Sequence, residues 1–157
     1  MNRILSSVAL AFICLFPVYG QMAWNAKYQN YFNQYKDLAI EQMLKYRIPA
    51  SITLAQGVFE SGAGYSDLAR NGNNHFGIKC HGWQGRKTYH DDDARNECFR
   101  AYDSPGQSYE DHSKFLVQSQ RYRRLFSLKI TDYKGWAHGL KACGYATNPA
   151  YAKKLID

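Results

Sequence analysis

The sequence has no internal repeat, no low-complexity stretch and no long linker, so solenoids, arrays and chains of tethered modules are excluded. It has no H-E-x-x-H and no paired C-x-x-C, the spacings that zinc sites favour. No Ser/His/Asp order and no phosphate-cradling glycine loop stands out. Asp91-Asp92-Asp93 lacks the alternation and the glycine of a calcium loop. No metal and no cofactor are therefore expected. The one long apolar run, Ile4 to Val18, is interrupted only by Ser6 and Ser7 and is too short for a comfortable membrane span.

That run has another reading. Met1-Asn2-Arg3 is a short cationic end, and Val18-Tyr19-Gly20 offers small residues at a cleavage position. The layout is that of a secretory signal over residues 1–20, with a mature chain from about Gln21. A membrane anchor is the competing reading. A lipid anchor at Cys14 is disfavoured by bulky Ile13 before it. The remainder, residues 21–157, is the size of one domain able to bury a core, and a monomer without a stable membrane anchor is expected.

What is present is basic and aromatic. Of 157 residues 13 are tyrosine, and the formal net charge is +7. An exported basic protein is drawn to anionic surfaces, among them nucleic acid, acidic lipid and the peptide carboxylates of a cell wall. The basic residues are scattered except for Arg121, Arg123 and Arg124, which read as a solvated helix face. Scattered charge and the signal segment together disfavour a nucleic-acid partner. Tyrosines pack, and they also suit a sugar-binding groove, where a flat apolar face and a hydroxyl are both useful. Export permits a disulfide among Cys80, Cys98 and Cys143. Cys80–Cys98 is favoured because the two flank a hairpin, which leaves Cys143 free and buried; zinc on Cys80, His81 and Cys98 is the alternative.

Apolar spacing predicts a helix over Tyr28 to Tyr46 and a second from Pro49, as its first residue, to about Ser61, where Gly62-Ala63-Gly64 follows. Ser66 can cap a short turn reaching Arg70. Phe76 to Lys79, Arg86 to His90 and Glu97 to Tyr102 read as short strands. Helices return with Ser104-Pro105, with Asp132 (carrying Trp136 in the core, and stopped by Gly144), and with Asn148-Pro149. His112 and His138 fall on these helices as ordinary histidines. The fold class is α+β, mainly helical, with a small β-hairpin lobe inserted between helices.

One segment carries chemistry. Ser51 to Gly62 places a single carboxylate, Glu60, at the C-terminal end of an apolar helix. The helix end carries partial negative charge, Phe59 and Tyr65 add apolar surroundings, and the glycines leave open space. All three favour a protonated carboxyl that can donate to a leaving oxygen. A solvated glutamate at a helix end is the plainer alternative.

Leu54-Ala55-Gln56-Gly57-Val58-Phe59-Glu60-Ser61-Gly62 and Asn73-Asn74-His75-Phe76-Gly77-Ile78-Lys79 resemble the bacterial glucosaminidases of glycoside hydrolase family 73. Phe99-Arg100-Ala101-Tyr102-Asp103-Ser104 and Gly144-Tyr145-Ala146-Thr147-Asn148-Pro149-Ala150-Tyr151-Ala152 are similar to that family's later blocks. The resemblance spans about residues 48–156. It implies a lysozyme-like helical domain with a β-lobe bordering a groove. It also implies hydrolysis of the β-1,4 bond on the reducing side of N-acetylglucosamine in peptidoglycan glycan strands. Glu60 matches the family's proton donor, and Tyr145 its tyrosine facing the scissile sugar. The family's second acid belongs to the lobe. Asp91, Asp92, Asp93 and Glu97 are the choices, with Asp92 favoured and substrate-assisted attack by the 2-acetamido group left open. Asn73, Asn74 and His75 are expected to line the groove or fix its loop and Trp83 to be an exposed stacking residue on the lobe; Asn74, His75, Phe76, Trp83 and Tyr151 are assigned to substrate. A muramidase or lytic transglycosylase on the same type of fold, and a non-catalytic wall-binding protein, are the rivals.

Overall fold

The computed structural model describes residues 25–92 and 94–157; the expected signal over residues 1–20 and the candidate Asp93 lie outside them. Helix α1, Ala26–Tyr46, starts two residues earlier than its apolar spacing indicates. The reason is a cap: Asn25 Oδ1 accepts from the backbone N–H groups of Lys27 and Tyr28. Helix α2, Ala50–Ser61, has Pro49 just outside it, at ψ 129°, and not as its first residue. Ser66 caps α3, Asp67–Gly72, through the N–H of Ala69.

Strands β1, Lys87–His90, and β2, Glu97–Arg100, form an antiparallel hairpin with Lys87 opposite Arg100 and His90 opposite Glu97. The strand expected at Phe76 to Lys79 does not form. Asn74 Oδ1 gathers the N–H groups of Phe76 and Ile78, so those donors are unavailable to a ladder. The segment meets the sheet through one isolated bridge, Lys79 opposite Phe99. At the same place Cys80 and Cys98 are joined, which removes both thiolates as zinc ligands. Their separation of 18 residues gives a cross-link that stabilises by about 3 kcal/mol on the chain-entropy argument. Cys143 is free and half-buried.

Helix α4, Pro105–Gln118, is capped by Ser104. A 3₁₀ segment, Gln120–Ser127, follows and leaves Arg121, Arg123 and Arg124 exposed. Asp132 caps α5, Tyr133–Ala142. Helix α6, Tyr151–Ile156, has Ala150 and not Asn148 in the capping position; Asn148 Oδ1 instead accepts from the N–H of Ala150. The result is the α+β, mainly helical domain that the pattern indicates, with the hairpin lobe between α3 and α4. Among the described residues no helix is long and apolar enough to cross a membrane.

Helix α2 lies at the centre, packed against α1, α5 and α6. One face sends Ile52 into the main core with Leu116, Trp136 and Leu140, each buried side chain contributing about 1.5–3 kcal/mol. The other face meets α1 through Val58 and Tyr31. There the helices are very close: a Cβ on Gly57 would sit 2.3 Å from the Tyr31 hydroxyl oxygen. That hydroxyl is itself fixed, accepting from Tyr109 at 3.0 Å and meeting His75 Nδ1 at 3.0 Å. The contact predicts that Gly57→Ala destabilises by roughly 1–3 kcal/mol in urea unfolding. The loss should be smaller in a Tyr31→Phe background, because the two changes share one contact.

Candidate active site

Glu60 is the penultimate residue of α2, and the turn after it is tightly built. Gly62, Ala63 and Gly64 all have positive φ (56°, 58° and 83°). The first reverses the helix, with its N–H on the carbonyl of Val58. A side chain on Gly62 would meet nothing within 4 Å, so the position requires glycine for its backbone and not for space. Ser61 Oγ accepts from the N–H of Gly64 at 2.7 Å, and Ser66 N–H donates to the Ser61 carbonyl. The chain thus leaves sharply, and Glu60 stays at the margin of the core.

Among the described residues the carboxyl has one side-chain hydrogen-bond partner. The Tyr151 hydroxyl donates to Glu60 Oε1 at 3.1 Å and accepts from Gln56 Nε2 at 3.0 Å. Burial raises the Glu60 pKa above the ordinary carboxylate range, the Tyr151 hydrogen bond opposes that rise, and the Asp92 charge adds to it. Among the described residues no lysine or arginine pairs with Glu60. The apolar surroundings do not come from Tyr65, which is exposed and carries Lys27 and Arg70 over its ring. Phe59 turns toward Tyr28 and the α1–α2–α6 side. Rings from the far end of the chain take their place. Tyr145 stacks on Tyr151 with centroids 5.8 Å apart, and a Glu60 charge opposes ionisation of both. Burial holds both tyrosines well above the usual phenol range, so both remain neutral hydroxyls.

The lobe's carboxylates sort by what they already hold. Asp91 Oδ1 accepts from the N–H of Asn96 at 2.7 Å and closes the turn. Both oxygens of Glu97 lie 3.0 Å from Lys79 Nζ. Asp92 touches the same lysine more loosely, at 3.6 Å, and is half-exposed. It is also the carboxylate whose field reaches Glu60.

Three residues assigned to substrate are in the core instead. Asn74 is fully buried and has both ends of its amide engaged. Its Nδ2 donates to the carbonyls of Ile78 and Arg100, while Oδ1 takes the two N–H groups already described. His75 is 2% exposed and its N–H donates to Ser108 Oγ; burial depresses its pKa to about 4. Phe76 is 3% exposed and stacks on His112 at 3.9 Å. None has surface left for a sugar. Tyr151, 4% exposed, reaches the site only through its hydroxyl. Trp83 is half-buried on the lobe, with Nε1 donating to the Arg86 carbonyl and the Arg100 guanidinium 5.0 Å from its ring. It borders a separate recess of about 740 Å³, shared with Gln42 and Glu110, that none of Glu60, Tyr145 and Tyr151 lines.

Gln56 and Lys79 were not singled out as site residues by their sequence positions. A signal for Gln56 existed, since it lies four residues before Glu60 and so on the same helix face. Lys79 has no such local signal; it meets Glu97 only because the hairpin folds back.

Residues 36–157 match the family described as mannosyl-glycoprotein endo-beta-N-acetylglucosaminidase. The exo-glucosaminidase LytG of Bacillus subtilis (strain 168) is 33% identical over 123 residues, covering 71% of this chain and 43% of the relative. The peptidoglycan hydrolase FlgJ of Vibrio parahaemolyticus is 29% identical over 141 residues, covering 82% of this chain and 46% of the relative. The chain thus spans less than half the length of these curated relatives. A crystal structure of a peptidoglycan hydrolase from Sphingomonas sp. A1 superposes with a TM-score of 0.71 at 31% identity, covering 81% of this chain and 84% of that one.

The internal role of Asn74 has a measurable consequence. Asn74→Ala removes four hydrogen bonds and leaves the buried N–H groups of Phe76 and Ile78 without their acceptor, and should lower unfolding stability by roughly 2–5 kcal/mol in urea titrations. A loss below about 0.5 kcal/mol, the level of ordinary surface changes, would contradict it.

Proposed function

Since the chain belongs to the glucosaminidase family, we propose that it is a glycoside hydrolase acting on peptidoglycan, with Glu60 as general acid. The bond cut is the β-1,4 linkage on the reducing side of N-acetylglucosamine. The observation that carries this reading is the state of Glu60: a desolvated carboxyl at a helix end, raised in pKa and, among the described residues, without a cationic partner. Such a group keeps its proton to a higher pH than a solvated glutamate does, and can deliver it to the departing glycosidic oxygen. The similarity to the exo-glucosaminidase LytG supports the reaction, and that to the peptidoglycan hydrolase FlgJ supports the substrate class.

As the bond breaks, positive charge develops at the anomeric carbon. Asp92 is the proposed second carboxylate. Its looser tie to Lys79 leaves it freer than Glu97, and its charge already acts on Glu60. It can steady the developing cation or activate water. The neutral Tyr145 hydroxyl, held in its stack on Tyr151, is proposed to face the scissile sugar. Export is proposed from the cationic end, apolar run and small residues over 1–20. The basic charge of the chain suits an anionic wall polymer.

Glu60→Gln should cut hydrolysis by about 10²–10⁴-fold or more, the scale of a lost general acid, with the fold retained. Mass spectrometry of digested, borohydride-reduced glycan should give reduced N-acetylglucosamine ends. Reduced N-acetylmuramic acid ends would indicate a muramidase, and anhydro ends a transglycosylase. The raised pKa also sets the sign of a stability effect. A carboxyl whose folded pKa exceeds its unfolded value stabilises the fold at low pH, and that contribution is lost as pH rises through the folded pKa. Glu60→Gln should therefore melt above wild type at about pH 8, but not at about pH 4, where the unfolded carboxyl is largely protonated too. Separately, Asp92→Asn should slow turnover by at least about tenfold, as loss of a charge-stabilising group does. Asp91→Asn, which removes only a turn acceptor, should slow it less; equal effects would remove Asp92 from the mechanism.

A further inference from the structure

The hydrogen bonds behind Glu60 run from Gln56 through Tyr151 to the carboxyl. Gln56, one turn before Glu60 on α2, is fully buried and donates through Nε2 to the Tyr151 hydroxyl oxygen. A tyrosine hydroxyl has one hydrogen, and two donors cannot face each other. With Gln56 occupying the oxygen, that hydrogen is turned to Glu60 Oε1 at 3.1 Å. Tyr151 cannot easily turn elsewhere, because its ring is buried and stacked on Tyr145.

We propose that Gln56 and Tyr151 are positioning residues that make Glu60 Oε1 a permanent acceptor and so place the transferable proton on Oε2. This rests on the reading of Glu60 as the acid, and extends it to which oxygen acts and what holds the conjugate base. The carboxyl's second oxygen is the one left without the tyrosine. When its proton passes to the glycosidic oxygen, Glu60 becomes an anion. The Tyr151–Oε1 bond then becomes charge-assisted, about twice as strong as between neutral groups. An interaction that strengthens as charge develops lowers the barrier, where one of constant strength only tightens binding. The pair also tempers what desolvation does: burial alone pushes the carboxyl upward, and the tyrosine bond pulls it back.

The opposite polarity would have Tyr151 donating to a reversed Gln56 amide and accepting from a protonated Glu60. It predicts a different sign, so the direction can be measured. The experiment uses the whole chain and soluble glycan strands prepared from peptidoglycan, with kcat and KM followed against pH for Tyr151→Phe, Gln56→Met and the double variant. Tyr151→Phe should lower kcat by about 10–100-fold, the scale of one lost donor to developing negative charge, with KM changed less than about twofold. Its alkaline limb should move to higher pH by roughly half to one unit, because a donor to the carboxylate is gone. Gln56→Met should move the limb the same way by less, and should add little in the Tyr151→Phe background, because it acts through the tyrosine.

A loss of kcat with an unmoved limb would reduce Tyr151 to a packing residue and overturn the proposal. A limb moved to lower pH would reverse the polarity and overturn it equally. Should Tyr151→Phe fail to fold, Gln56→Met alone decides by the same sign. The parallel Glu60→Gln variant separates the two readings. If it turns over normally, the acid assignment itself falls; if it is inactive while the limb stays still, only the positioning role falls.

Discussion

A carboxyl group is kept out of water at the end of the central helix without being held there as an ion. Helix α2 is buried along most of its length, so its last turn is carried to the margin of the core and no further. The Gly62–Gly64 reversal turns the chain away at once. Among the described residues, the side chain bonded to Glu60 is a phenol and not a cation. A guanidinium in the same place would have pulled the pKa down and made a structural ion pair. The phenol leaves burial as the dominant influence.

Several features of the fold serve the placement of that helix end. The close approach of Gly57 to Tyr31 sets how near α1 comes to α2. The Tyr109–Tyr31–His75 chain fixes the same ring from below and ties it to the loop that leads into the lobe. Asn74 then knots that loop. The disulfide and the Lys79–Phe99 bridge anchor the lobe's base beside it. The lobe therefore hangs from a loop that is packed against α1 and α4, and the charge of its Asp92 reaches Glu60. Lys79 divides the lobe's carboxylates, gripping Glu97 with both oxygens and Asp92 loosely.

Much of the helical architecture was legible because its signals are local. Ser66, Ser104 and Asp132 cap the helices they precede, and Gly62 and Gly144 end or follow helices with positive φ. The segment at Phe76 to Lys79 departs from its strand pattern for a physical reason. Its apolar alternation is real, but Asn74 captures the backbone donors a strand would need. The same competition put Asn74, His75 and Phe76 in the core. A polar loop that follows the Glu60 segment looks like a groove wall, and nothing in the order of residues says that its side chains bond inward. The apolar neighbours assigned to Phe59 and Tyr65 illustrate the converse, for adjacency in the chain did not become adjacency in space.

By itself the sequence determined that a lone carboxylate would end an apolar helix, that a hairpin would interrupt a helical domain, and that four ordered blocks resemble the glucosaminidases. These follow from periodicity, capping chemistry and motif order, which act over a few residues at a time. Only the tertiary structure decided that Tyr151, 91 residues away, would hold the carboxyl, and that Lys79 would sort the acids of the lobe. Hydrogen bonds and desolvation depend on distances of a few ångströms between side chains, and those distances exist only once the chain has packed.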